Sequence, residues 1–140
     1  MLGFFRKKQP VADRAKPLVL HIDDDLDIRA VIAVRLRPMG LDIESVSSGE
    51  EGLAAAKARL PDLVILDIRM PDMDGFEVCR RLKEDPKTSA IPVLILTAMG
   101  QNRDTEMALS VGAAGYLIKP LDDRKFKAKV VELLRLPPSA

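Results

Sequence analysis

Leu18-Val19-Leu20-His21-Ile22-Asp23-Asp24-Asp25 is a short apolar run, interrupted only by His21, that ends abruptly in three carboxylates. Such a run is what a strand covered on both faces of a parallel sheet looks like. Four more runs rich in Val, Ile and Leu follow, at residues 43–46, 63–66, 93–96 and 116–118. Three of the five are almost free of polar residues. The run around Val46 is weaker and suits a sheet edge.

The stretches between the runs read as helices. Ile28, Val31, Ile32 and Leu36 repeat at helical spacing until Pro38 and Gly40 stop them. Ser48-Gly49-Glu50-Glu51 has the pattern of a capping box and opens an Ala-rich helix that stops before Pro61. Asp74-Gly75-Phe76-Glu77 opens a third, with Phe76, Cys79 and Leu82 on one side. Residues 102–111 form a fourth, with Gly112 as a left-handed cap. A fifth starts near Asp122, buries Phe126, Val130, Leu133 and Leu134, and ends at Pro137-Pro138. Regular strand–helix alternation predicts an α/β protein with a parallel sheet and helices on both faces.

The chain has 140 residues, 47% hydrophobic and 31% charged, which fits one globular domain with a single well-formed core. One cysteine, Cys79, excludes a disulfide framework or a cysteine-rich zinc cluster within one chain and fits a reducing, cytoplasmic setting. No run approaches the roughly 20 apolar residues that cross a bilayer. Residues 1–16 hold five basic residues (Arg6, Lys7, Lys8, Arg14, Lys16) against Asp13, a charge of +4; the remainder has 17 basic and 20 acidic residues, a charge of −3. The head reads as a basic, disordered, solvated extension, and the body has no electrostatic footprint for nucleic acid. No stable membrane insertion is expected either.

In an open α/β sheet, ligands bind beyond the carboxyl ends of the strands. The first strand ends in Asp23-Asp24-Asp25, the third in Asp67, the fourth in Thr97-Ala98 and the fifth in Lys119-Pro120. Four strands thus deliver polar residues to one edge. Clustered carboxylates repel one another, which raises a pKa or calls for a cation. Hard oxygen donors select Mg²⁺. Lys119 adds a compact positive charge and Thr97 a hydroxyl, which together describe a pocket for a phosphoryl group on a carboxylate.

Blander readings account for some of these residues. Asp23-x-Asp25-x-Asp27 imitates a calcium loop, but Ile28 and Val34 stand where such a loop needs Gly and Glu. Asp25 and Asp27 read as helix-capping residues. His21 reads as a core residue satisfied by a neighbour, and Cys79 as packing.

The chain closely resembles the response-regulator receiver domains of two-component phosphorelay systems, the CheY-like superfamily, over about residues 17–136. The residues that carry the resemblance are Asp23-Asp24, Asp67-Ile68-Arg69-Met70-Pro71-Asp72-Met73-Asp74-Gly75, Thr97-Ala98 and Gly115-Tyr116-Leu117-Ile118-Lys119-Pro120. Each is weak alone; their order and spacing are specific. The resemblance implies a doubly wound (βα)5 flavodoxin-like fold with a five-stranded parallel sheet of order 2-1-3-4-5. Residues 137–140 would then be a short tail.

By the same resemblance, Asp67 is the phosphoacceptor, taking its phosphoryl group from the phosphohistidine of a sensor histidine kinase or histidine phosphotransfer protein. Asp24 and Asp67 would hold Mg²⁺ with the backbone carbonyl of Arg69, and Asp23 would act through water. Lys119 would neutralise phosphoryl charge, and its bond to Pro120 is often cis in the family. Thr97 and Tyr116 would be switch residues reshaping the face of the fourth helix, fifth strand and fifth helix. Arg69 and Met99 would flank the route of hydrolytic water and modulate dephosphorylation. Leu26 departs from the family by standing where Pro is frequent.

The leading expectation is a cytoplasmic, free-standing receiver. It would not be a conventional enzyme, but would catalyse its own Mg²⁺-dependent phosphorylation and dephosphorylation. Nothing follows the fifth helix, so it would have no DNA-binding output domain and would act by docking on another protein. The sequence leaves open the cognate kinase, the downstream target and a dimer on activation. Two rivals are an adaptor of the same fold that is never phosphorylated, and a metal-dependent phosphohydrolase with an aspartate nucleophile.

Overall fold

The computed structural model describes residues 15–98 and 102–137, with only the backbone of residues 102 and 103. Residues 1–14 of the basic head, Met99 and residues 138–140 lie outside the described residues.

The elements alternate along the chain as β1 (Leu18–Ile22), α1 (Leu26–Leu36), β2 (Asp42–Val46), α2 (Gly49–Arg59), β3 (Leu63–Asp67), α3 (Gly75–Glu84), β4 (Val93–Thr97), α4 (Asn102–Ser110), β5 (Gly115–Ile118) and α5 (Asp123–Leu134). A 3₁₀ turn, Arg37–Met39, prolongs α1. The five strands form one sheet in the order β2-β1-β3-β4-β5, every adjacent pair parallel. The weak run around Val46 is indeed an edge strand, β2. Among the described residues, no helix is long and apolar enough to cross a membrane.

The three central strands, β1, β3 and β4, are buried at every position, which is why they read as continuous apolar runs. Alternation of side chains across the sheet builds two apolar layers. On one face Leu20, Ile22, Val64, Leu66, Val93 and Ile95 pack with Ala56 of α2, Val78, Cys79 and Leu82 of α3 and Ala108 of α4. On the other, Val19, Leu63, Ile65, Leu94 and Leu96 pack with Ile32 and Leu36 of α1 and Phe126, Val130 and Leu134 of α5. Each fully buried Leu, Ile, Val or Phe contributes about 1.5–3 kcal/mol, so the two layers hold the strands in fixed register.

Helix ends follow local chemistry. The Asp25 carboxylate accepts the N–H groups of Asp27 and Ile28 and caps α1. Ser48 caps α2 by accepting the N–H of Glu51, but Glu51 returns to the N–H and hydroxyl of Ser47, one residue earlier than a capping box requires. Gly40 and Gly112 both have the positive φ of left-handed caps.

Several details correct the sequence reading. Val31, assigned to the buried stripe of α1, is 44% exposed, and Ala33 faces the core instead. Phe76 and Leu133 are only partly buried. The fifth helix ends at Arg135 in a left-handed conformation, before the prolines. Asp67 and Thr97, by contrast, close β3 and β4 as the sequence reading has it, one residue past each apolar run. A strand's backbone pairing does not end where its hydrophobicity does.

Candidate functional site

The strand order reverses between β1 and β3, which carry the chain in opposite directions across the sheet. A crevice at the carboxyl ends of the strands follows from that reversal. The acidic residues sit there. Ligand oxygens of Asp23, Asp24 and Asp67 all lie within 4.8 Å of one another, with Asp23 and Asp67 buried and Asp24 exposed.

Lys119, immediately after β5, reaches across this cluster. Its Nζ lies 3.2 Å from Asp67 Oδ1 and 3.8 Å from Asp23 Oδ2. Its backbone N–H donates to the Thr97 carbonyl at 2.7 Å, which ties it to the end of β4. The Lys119–Pro120 peptide bond is cis. The Lys119 side chain and the Thr97 backbone therefore come from the ends of neighbouring strands to the rim that holds Asp67.

The two buried carboxylates differ in their surroundings. Burial pushes the Asp67 carboxyl up, and the charge of Asp23 adds to it; Lys119 and the Ile68 N–H oppose these without reversing them. Burial also acts to raise Asp23, but the His21 imidazole, the Asp25 N–H and Lys119 outweigh it and leave Asp23 below its ordinary value. An extra positive charge at Asp67 would remove the conflict, and three convergent carboxylates supply oxygen ligands of the kind that hard divalent cations take. Asp23 Oδ2 is a buried oxygen with no hydrogen-bond partner among the described residues. Donor type and this oxygen without a hydrogen bond both fit a hard divalent cation such as Mg²⁺.

Of the remaining expected site residues, Thr97 is buried at the end of β4. Tyr116 in β5 is partly buried, paired in register with Ile95. Burial and nearby Asp104 raise its phenol, while a hydrogen bond with Thr105 acts the other way, so its hydroxyl faces α4. Arg69 is exposed in the loop between β3 and α3. Met99 lies outside the described residues.

The loop and the end of β1 are held by contacts that the sequence reading did not anticipate. Gly75 N–H donates to the Ile68 carbonyl at 2.7 Å. The Asp72 carboxylate accepts the N–H groups of Gly49 and Glu50, both at 3.0 Å, binding the loop to the start of α2. Arg29 of α1 donates through Nη1 to the Asp23 carbonyl at 2.6 Å. The Asp72 contacts, with partners 22 and 23 residues away, leave no signal in local sequence spacing. His21, expected to be satisfied by a neighbour, is fully buried with neither ring nitrogen hydrogen-bonded among the described residues. Cys79 matches its packing role: it is buried, its Sγ lies 3.4 Å from the Val111 carbonyl, and burial pushes its thiol up to about 11.

Comparison with known proteins agrees with this geometry. The family described as "Response regulator receiver domain" matches residues 19–131. The DNA-binding dual master transcriptional regulator RpaA of Synechocystis sp. is 43% identical over 119 residues, covering 85% of this chain and 49% of that protein. Response regulator PleD of Caulobacter vibrioides is 39% identical over 118 residues, covering 84% of this chain and 26% of that protein. The chain thus spans about half or less of the length of these curated relatives. Among solved structures, Vibrio cholerae chemotaxis protein CheY4 superimposes with a TM-score of 0.80 at 29% identity, covering 85% of this chain and 99% of that one. A CheY-like receiver domain protein from Methanospirillum hungatei gives 0.80 at 26% identity, covering 86% and 94%.

Proposed function

Because the chain belongs to the response regulator receiver domain family, we propose that it is a phosphorylation-controlled switch whose phosphoacceptor is Asp67. An Asp67 carboxylate oxygen attacks phosphorus on a partner's phosphohistidine, the P–N bond breaks as the P–O bond forms, and the freed imidazole takes a proton. The donor is a sensor histidine kinase or a histidine phosphotransfer protein.

Mg²⁺ would be held by Asp24, Asp67 and the backbone carbonyl of Arg69, with Asp23 acting through water. When bound, it neutralises carboxylate and phosphoryl charge, which is most of what phosphoryl transfer asks of a site. Lys119 aligns Asp67 and balances negative charge on the transferred group. Thr97 gives a hydroxyl to a phosphoryl oxygen, and Tyr116 follows it. The result is a changed face on α4, β5 and α5, where Met107, Leu109 and Ile118 already expose apolar surface for a protein partner. A phosphoryl group brings nearly two negative charges and three acceptor oxygens, a large enough local change to bias a two-state element.

The observation that carries this reading is the Lys119 ammonium set 3.2 Å from Asp67 Oδ1 inside a cluster of three carboxylates. Phosphotransfer from a panel of purified histidine kinases, with Asp67→Ala as the control, tests it. Transfer that survives in Asp67→Ala sinks the assignment. Absence of transfer from every kinase, together with no spectral change on adding Mg²⁺ and beryllofluoride, would make the chain an unphosphorylated adaptor.

By the family resemblance, Arg69 and Met99, both long, are the residues that would flank the path of hydrolytic water. Replacing both with Ala is expected to shorten the lifetime of the acyl phosphate, timed by decay of labelled protein. An unchanged lifetime removes them from that role.

A further inference from the structure

Strand alternation puts His21 on the same face of β1 as Val19 and Asp23. That face belongs to the apolar layer under α1 and α5, built by Val19, Ile32, Ile65, Leu96 and Phe126. The imidazole there is a polar ring set against an apolar layer. It is fully buried, and neither Nδ1 nor Nε2 has a hydrogen-bond partner among the described residues. A buried polar group without a partner is costly, so one is expected within reach.

Asp23 offers it. Its carboxylate is 1% exposed, and Oδ1 accepts the Asp25 N–H at 2.9 Å. Oδ2 is unpartnered, 3.6 Å from His21 Nε2 and 3.8 Å from Lys119 Nζ. Two buried, unsatisfied atoms thus face one another just beyond the usual N–H···O range of about 2.7–3.2 Å. A small approach satisfies both, and bonds to an ionised acceptor are the stronger kind.

We propose that His21 is a positioning residue of the acidic pocket, donating Nε2–H to Asp23 Oδ2 from beneath and fixing the orientation in which this carboxylate meets a divalent cation. The inference rests on the reading of the pocket as a Mg²⁺ site. His21 never touches the ion or the phosphoryl group. It acts as groups behind metal ligands generally do, by holding a ligand's donor atoms in one arrangement, and loss of such a group typically weakens metal binding about 10–100-fold. With the Asp25 N–H on one oxygen and the His21 N–H on the other, the Asp23 carboxylate cannot rotate, yet each oxygen keeps a lone pair free.

His21 is the only histidine in the chain, so a long-range ¹H–¹⁵N NMR spectrum of the full chain reports its ring without ambiguity. The ring hydrogen is expected on Nε2; a hydrogen on Nδ1 alone overturns the proposal. MgCl₂ is then titrated calorimetrically into the wild type, His21→Leu and His21→Gln. Leu fills the volume without a donor, while Gln can place an N–H where Nε2 was. His21→Leu is expected to bind Mg²⁺ about 10-fold more weakly, with a metal-free thermal midpoint no lower than the wild type's. His21→Gln should recover most of the lost affinity. A folded His21→Leu that binds Mg²⁺ as tightly as the wild type overturns the positioning role and leaves the metal site standing. If His21→Leu fails to fold, the ring tautomer and the Gln variant decide: Gln binding about 10-fold weaker than the wild type overturns it. A wild type that binds no Mg²⁺ at millimolar concentration overturns the metal reading itself, and the inference with it.

Discussion

Asp67 ends β3 and Asp23 directly follows the neighbouring β1, yet their surroundings push them in opposite directions. Asp67 is raised by burial and by its acidic neighbour. A carboxyl with a raised folded-state pKa binds its proton more tightly in the folded chain than in the unfolded one. Its ionised form therefore costs stability, and that cost grows as pH rises from the unfolded value through the folded one. In metal-free protein at pH 7, Asp67→Asn is expected to raise the thermal midpoint, and the gain should shrink as pH is lowered through the raised pKa. Thermal melts of both proteins from pH 7 down to pH 4 check this; a gain that stays constant or grows on acidification contradicts it. Asp23 has the opposite sign, and its stabilising share is present above its unfolded value and lost as pH falls through the lowered one.

The critical element is the start of α3. Asp74 caps it by accepting the Glu77 N–H at 3.0 Å, and Gly75 follows directly against the end of β3. A Cβ at Gly75 would meet the Asp67 carbonyl oxygen and lie 2.8 Å from Ile68 Cα. Both are backbone atoms, of the last residue of β3 and of the one after it, so no side-chain rotation can relieve the overlap. Gly75→Ala is expected to lower stability and to weaken Mg²⁺ binding together, because the loop and Asp67 must shift to make room. Denaturant unfolding and Mg²⁺ titration of the variant check this. Gly52 makes an informative contrast: a Cβ there meets only the side chain of Ile22, a flexible neighbour, and Gly52→Ala should leave Mg²⁺ binding intact.

Over the whole molecule, two apolar layers hold a sheet whose carboxyl edge concentrates negative charge. Such a site stores a conflict that a bound cation removes, so metal binding and folding stability are linked. At Mg²⁺ about 100-fold above its dissociation constant, stability should rise by about 2.7 kcal/mol. Denaturant midpoints measured across a Mg²⁺ series should follow that logarithmic dependence in the wild type. The dependence should flatten in Asp24→Asn, which removes a ligand charge from the exposed side of the cluster. Equal slopes for both proteins would place the cation elsewhere.

The sequence by itself determined the class of fold and the edge of the sheet at which the polar strand-end residues gather. Central parallel strands must be apolar on both faces, and polar residues at their ends then have one edge to occupy. It also determined the caps at Asp25, Ser48 and Gly112, because those signals are local. Only the tertiary structure decided what depends on distant partners. Asp72 binds the start of α2 from 22 or 23 residues away, and Lys119 spans 52 residues to reach Asp67. Val31 faces solvent because α1 turns Ala33 to the core instead. The meaning of His21 was hidden for the same reason: a histidine in a strand is ordinary until its nitrogens are seen unpaired beneath a carboxylate. Periodicity reports which face a residue takes, whereas pairing across the sheet depends on distances that only the folded chain sets.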